Sequence, residues 1–268
     1  MRLLQTCLLL APILTGCSSI SLMDFSGAET LESGRKEKLV GVSYAPNLAS
    51  LLRDSTHRPN NSFGPLFELR GKTGATDRIE LGAGVWTSGF PISTLALGTA
   101  DLGARLDARY LLTRRGDDHC LALLGTFNGY YVINTFASLD EFERSYGGTW
   151  GGGVGAVYEF VVEHAEVPEA PLLDYDFLYM HERETGIYAG AVIRYLISDY
   201  TYGIPASESS SGVEEIRARI DHEALFLSPF VGLRLPGPVC IEVCGLMVRP
   251  PSGANVWGVF GGISFGGR

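Results

Sequence analysis

Chemistry needs side chains that ionise, ligate or attack, and in these 268 residues such groups fall into three sets. The first is Asp54, Ser55 and His57, a carboxylate, a hydroxyl and an imidazole close together in one polar loop. These are the residue types of acid–base hydrolysis, so if the chain is an enzyme they are its candidate catalytic residues. The remaining histidines, His119, His164, His181 and His222, stand in loops or beside strand ends, mostly next to acids, and read as solvated. The second set is Cys120, Cys240 and Cys244, an odd number that cannot form a closed disulfide framework. On an extended strand, two cysteines four positions apart have Cα atoms roughly 13 Å apart, beyond the reach of a disulfide, so buried unpaired thiols are expected. No zinc spacing occurs, and neither a metal site nor a cofactor is predicted. Gly151-Gly152-Gly153-Val154-Gly155-Ala156 spells a dinucleotide fingerprint, but a β-rich stretch follows it where a helix is required.

The third set is the largest: Glu68, Arg70, Glu80, Arg105, Asp107, Arg109, Glu159, Arg194, Arg234 and Glu242. Each stands on the polar side of a segment that alternates with period two. In residues 101–131, Leu102, Ala104, Leu106, Ala108, Tyr110 and Leu112 interleave with Gly103, Arg105, Asp107 and Arg109. A polar turn at Arg114-Arg115-Gly116-Asp117 follows, and the alternation resumes with Leu121, Leu123, Phe127 and Tyr131, so two strands joined by a tight turn are predicted. The same rhythm runs through residues 39–45, 64–72, 79–88, 149–163, 187–198, 225–235, 239–248 and 257–265. Ten strands result, or eight if the first and ninth are dropped. Short helices are expected at 48–53, 138–146 and 213–220 in the connecting loops.

An alternating sheet can face a protein core or lipid. Lipid is favoured on three grounds. The polar face is rich in glycine (Gly82, Gly84, Gly103, Gly151, Gly153, Gly155, Gly190, Gly232, Gly258 and Gly262), which weakens a strand unless another group approaches closely, as in a narrow lumen filled by large side chains from opposite walls. That face also carries both signs of charge, mostly as arginine with acids, which inside a small lumen must pair. Most strands reach the roughly 9–11 residues that a tilted membrane strand needs, with Tyr110, Trp150, Tyr158, Tyr195 and Trp257 on the apolar face where aromatic girdles lie. The net charge of −9 includes no basic stripe, and the only lysines are Lys36, Lys38 and Lys72, which argues against nucleic acid as a partner.

The first residues form a targeting signal: a positive start at Arg2, an apolar run over 3–13, then Leu14-Thr15-Gly16-Cys17. This resembles the bacterial lipoprotein signal, which implies that Cys17 is lipidated and, with Ser18 after it, that the protein goes to the outer membrane. The alternating region resembles the small bacterial outer-membrane β-barrel proteins of the outer membrane protein A or omptin-like size class. The expected organisation is a signal peptide over 1–16, a lipid anchor and polar tether over 17–38, and an all-β, antiparallel up-and-down transmembrane barrel over 39–268. The expected function is that of a lipid-anchored outer-membrane barrel with a charged, plugged lumen, structural or surface-interacting, or a narrow solute pore. Its partners would be outer-membrane lipid, with small solutes or envelope proteins at the outer loops 47–63, 89–100, 133–148 and 202–222. The rival readings are a soluble lipocalin-like carrier on a lipid tether and a barrel-rim lipid or peptide hydrolase using Asp54, Ser55 and His57.

Overall fold

The computed structural model describes residues 21, 23–46, 63–88, 99–134, 145–163, 185–204, 216–235, 239–249 and 256–267. Ten strands follow one another: β1 (Lys36–Pro46), β2 (Phe63–Thr76), β3 (Ile79–Ser88), β4 (Thr99–Leu111), β5 (His119–Asn134), β6 (Ser145–Glu163), β7 (Thr185–Ile204), β8 (Ile216–Arg234), β9 (Val239–Arg249) and β10 (Val256–Gly267). Each pairs antiparallel with its sequence neighbours, and β1 meets β10 from Lys38↔Gly267 to Ser43↔Gly262, closing the sheet into a barrel. Closure matters because a strand edge in hydrocarbon would leave backbone donors and acceptors without partners. Strand lengths run from 10 residues in β3 to 20 in β7.

The two periodic faces separate as a membrane barrel requires. Leu106 pairs with Phe127 and Val154 with Ile193 on the outer surface, where they are 60%, 52%, 69% and 50% exposed. Tyr110, Tyr131, Trp150, Tyr158 and Tyr195 share that surface. The lipocalin-like reading needs Leu106 and Tyr110 inside around a ligand, and the outward apolar face removes it.

Four expectations change. Residues 216–220, expected as helix, belong to β8, and Ser145 and Tyr146 belong to β6. The hydrophobic and strand-paired pattern on both sides of these loops carries the ladder further than their polar composition indicates, and no helix occurs among the described residues. The expected helix at 48–53 lies outside them. The inward glycines are covered differently from expectation: Trp86 lies over Gly103, Tyr188 over Gly232 and Phe230 over Gly190, and each is the direct cross-strand partner of the glycine it covers. Large rings fold sideways onto the adjacent strand instead of crossing the lumen. A Cβ on Gly103 would stand 1.9 Å from the Trp86 ring, so only glycine permits that approach. Finally, β1 begins at Lys36, and residue 21 and residues 23–31, expected as part of a tether, run inside the barrel, with Glu32 and Ser33 at its short-turn end.

Candidate functional site: a lumen filled by the N-terminal segment

Strand parity places the charged set on the inner wall. Glu68 and Arg70 of β2, Glu80 of β3, Arg105, Asp107 and Arg109 of β4, Glu159 of β6, Arg194 of β7, Arg234 of β8 and Glu242 of β9 all face the lumen, and all but Asp107 are buried. Many of their partners are not on the facing wall. They belong to the segment that precedes β1.

That segment descends the lumen along β2. The hydroxyl of Ser21 donates to Glu68 at 2.6 Å, the amide of Leu31 to Glu80 at 3.0 Å, and Ser33 bridges to Gly74, near the Thr76 end of the strand. The amide of Gly34 donates to the carbonyl of Gly74 at 2.8 Å, and Gly34 at φ +79° reverses the chain so that it can enter β1. An irregular segment inside a barrel must have its backbone groups satisfied by the wall, and here the wall carboxylates do so. Glu242 accepts from the amides of Asp24 and Phe25, each at 2.7 Å, and from the Tyr188 hydroxyl at 2.8 Å. Glu159 accepts from the amide of Glu29 at 3.2 Å, and Asp77 from the amide of Ser33 at 3.2 Å.

The arginines meet the segment from the opposite polarity. Arg70 donates to the carbonyls of Met23 and Asp24, Arg105 to the carbonyl of Met23, and Arg109 to the Asp24 carboxylate at 2.7 Å. Asp24 therefore lies within ion-pair distance of Arg70, Arg105 and Arg109 at 3.8, 3.3 and 2.7 Å. The rest of the network ties these cations to wall acids: Arg70 to Glu68 at 2.7 Å, Arg105 to Asp107, Arg109 to Glu80 at 3.2 Å, and Arg234 to Glu159 at 2.7 Å. Near the turn end, Arg115 lies 3.8 Å from Glu29 and 3.6 Å from Glu32. Apolar contacts complete the packing of the segment against the wall. Met23, Phe25, Ala28 and Leu31 are buried, Phe25 rests on Gly41 and Gly262 across the β1–β10 seam, and Gly27 lies flat on Glu159. Phe25 has φ 52°, among the described residues the one non-glycine residue in the left-handed region, so the fork made by Glu242 and the wedge at the seam hold an unfavourable backbone in place.

Residues that the alternation missed are Ser21, Asp24, Glu29, Lys72, Asp77 and Arg115. A signal for the segment was present. Met23, Phe25, Ala28 and Leu31 are more apolar than a solvated tether calls for, and Asp24, Glu29 and Glu32 supply acids with no base before Arg35. Cys120, Cys240 and Cys244 are free and buried on the inner side of β5 and β9. His119 is exposed on the outer surface, with its ring against Phe160 and hydrogen-bonded to Tyr158. Cys17 and the trio Asp54, Ser55 and His57 lie outside the described residues, as do most of the expected outer loops.

No protein-family model matches the sequence, and no curated protein does. Among solved structures, the outer membrane protease OmpT from Escherichia coli is similar with a TM-score of 0.43 at 8% identity, over 87% of this chain and 91% of that one. The translocator domain of the autotransporter NalP from Neisseria meningitidis is similar with a TM-score of 0.37 at 10% identity, over 90% of each chain.

Proposed function

We propose that this chain is an outer-membrane barrel held shut by its own N-terminal segment, acting as a structural and surface-interaction protein and not as an open pore. The observation that carries this reading is Asp24, buried at the centre of Arg70, Arg105 and Arg109. Removing one member of such a buried set leaves an uncompensated charge at a cost of about 3–5 kcal/mol, so the set disfavours withdrawal of the segment. The outer apolar surface, the closed ladder and the girdle aromatics support insertion in the outer membrane. Three connections at one end, residues 77–78, 112–118 and 235–238, are short, as periplasmic turns are, while residues 164–184 form a longer one there. The opposite end bears 47–62, 89–98, 135–144, 205–215 and 250–255, the region offered to solutes or envelope proteins. Cys17 serves in this reading as the lipid attachment point.

Planar-bilayer recording tests the closed lumen. The purified full chain is expected to give no steady conductance, and Asp24→Ala, which removes the shared anion from three arginines, is expected to give frequent openings. A steady ohmic conductance from the unaltered chain would sink the proposal in favour of the narrow pore.

A further inference from the structure

The direction of the luminal segment has a topological consequence. Its contacts climb β2 as the chain is followed backwards, from Gly74 beside Ser33, through Glu80 beside Leu31 on the neighbouring strand, to Arg70 beside Met23 and Glu68 beside Ser21. The segment therefore enters the lumen from the end that bears the long loops and leaves it at the short-turn end, where Gly34 turns it into β1. Glu68 stands eight positions before Thr76 and five after Phe63, the two ends of β2. With a rise of ~3.3 Å per residue and a tilt of ~40°, those intervals are about 20 Å and about 13 Å along the barrel axis. Cys17 stands four positions before Ser21, and four residue steps span at most ~14 Å. That length reaches the loop end and falls short of the turn end, towards which the way is in any case filled by residues 23–31.

We propose that the barrel is the conduit by which this chain's own N-terminus reaches the cell surface, so that Cys17, acylated as its sequence context implies, places its acyl chains in the outer leaflet. This replaces a tether into the periplasmic leaflet, and it rests on the membrane orientation proposed above.

The test uses the full chain in a Gram-negative host. One version carries an epitope after Ser18, another carries the same epitope after Gly116 in the short turn, and mobility before and after heating verifies that each barrel is folded. The first epitope is expected to bind antibody on intact cells, the second only after the outer membrane is permeabilised. Because an inserted epitope could divert the chain, Ser19→Cys is labelled in parallel with a membrane-impermeant maleimide, and the same asymmetry over the parent chain is expected. Both positions responding from the same side, or Ser18 from neither, would overturn the exit. Ser18 responding only after permeabilisation while Gly116 responds on intact cells would keep the threading but reverse the orientation, and with it surface delivery. Incorporation of a palmitate analogue, abolished by Cys17→Ser, reads the lipid separately, and its absence from the unaltered chain would overturn the acyl part.

Discussion

Arg105 and Leu106 are adjacent in β4 and answer to different solvents. Leu106 points outward, 60% exposed on the protein surface, and its environment is uniform: a neighbouring apolar side chain from each adjacent strand, Ala83 and Phe127. Arg105 points inward at 1% exposure, and its environment is particular: the carboxylate of Asp107, the carbonyl of Met23 and the carboxylate of Asp24. The outer face needs only to be apolar. The inner face must satisfy each charge individually, because a buried ion without a partner is costly, and for Arg105 two of the three partners, Met23 and Asp24, lie 82 and 81 positions away in the chain.

The sharpest way to break this contrast is to remove one luminal cation. Arg70 holds Glu68, the Met23 and Asp24 carbonyls and the Asp24 carboxylate. Arg70→Ala is expected to cost about 3–5 kcal/mol, read as a lower urea midpoint in lipid vesicles, and an unchanged midpoint would show that the network does not stabilise the barrel. Placing a charge on the other face is the complementary change. Leu106→Arg, near the middle of β4, is expected to lose about 2–4 kcal/mol in the same titration if that position faces hydrocarbon, and a neutral result would mean that it does not.

Glycine substitutions compare the two faces with less force. Gly103→Val places side-chain atoms on the Trp86 ring and is expected to cost about 1–3 kcal/mol and to shift the Trp86 fluorescence, since the ring must leave its stack with Tyr130. Gly129, opposite Ala104 on the neighbouring strand β5 and turned to the outer face, has nothing within 4 Å of its ideal Cβ. Gly129→Val is expected to stay within about 0.5 kcal/mol. Equal losses at the two glycines would contradict the assignment of one face to packing and the other to lipid.

The outer face was legible because its rule is local. Alternation in Leu102, Ala104, Leu106 and Ala108 states both the strand and the side that faces out of the barrel, and that rule is visible within the strand itself. The inner face was legible only as a list of charged residues. Their inward direction follows from parity, but which acid meets which arginine depends on strand register across the barrel and on what else enters the lumen. Glu242 shows the limit. Its sequence environment, Cys240 to Cys244, gives no sign that it caps the amides of Asp24 and Phe25. Residue 21 and residues 23–33 read as a tether for a related reason. Their backbone hydrogen bonds go to side chains of the wall, so they carry neither strand nor helix periodicity, and polar, non-periodic sequence reads as tether. Only the apolar residues Met23, Phe25, Ala28 and Leu31 hinted at burial. The long β7 and β8 were underestimated because polar residues such as Ser198, Asp199 and His222 continue the ladder beyond the apolar belt.

Amide hydrogen exchange across residues 21–33 in the folded barrel tests the luminal placement most directly. The amides of Asp24, Phe25, Glu29 and Leu31 each donate to a wall carboxylate, so peptides spanning them are predicted to exchange as slowly as peptides from β2. Complete exchange within the shortest labelling time, as in a solvated tether, would contradict the closed lumen.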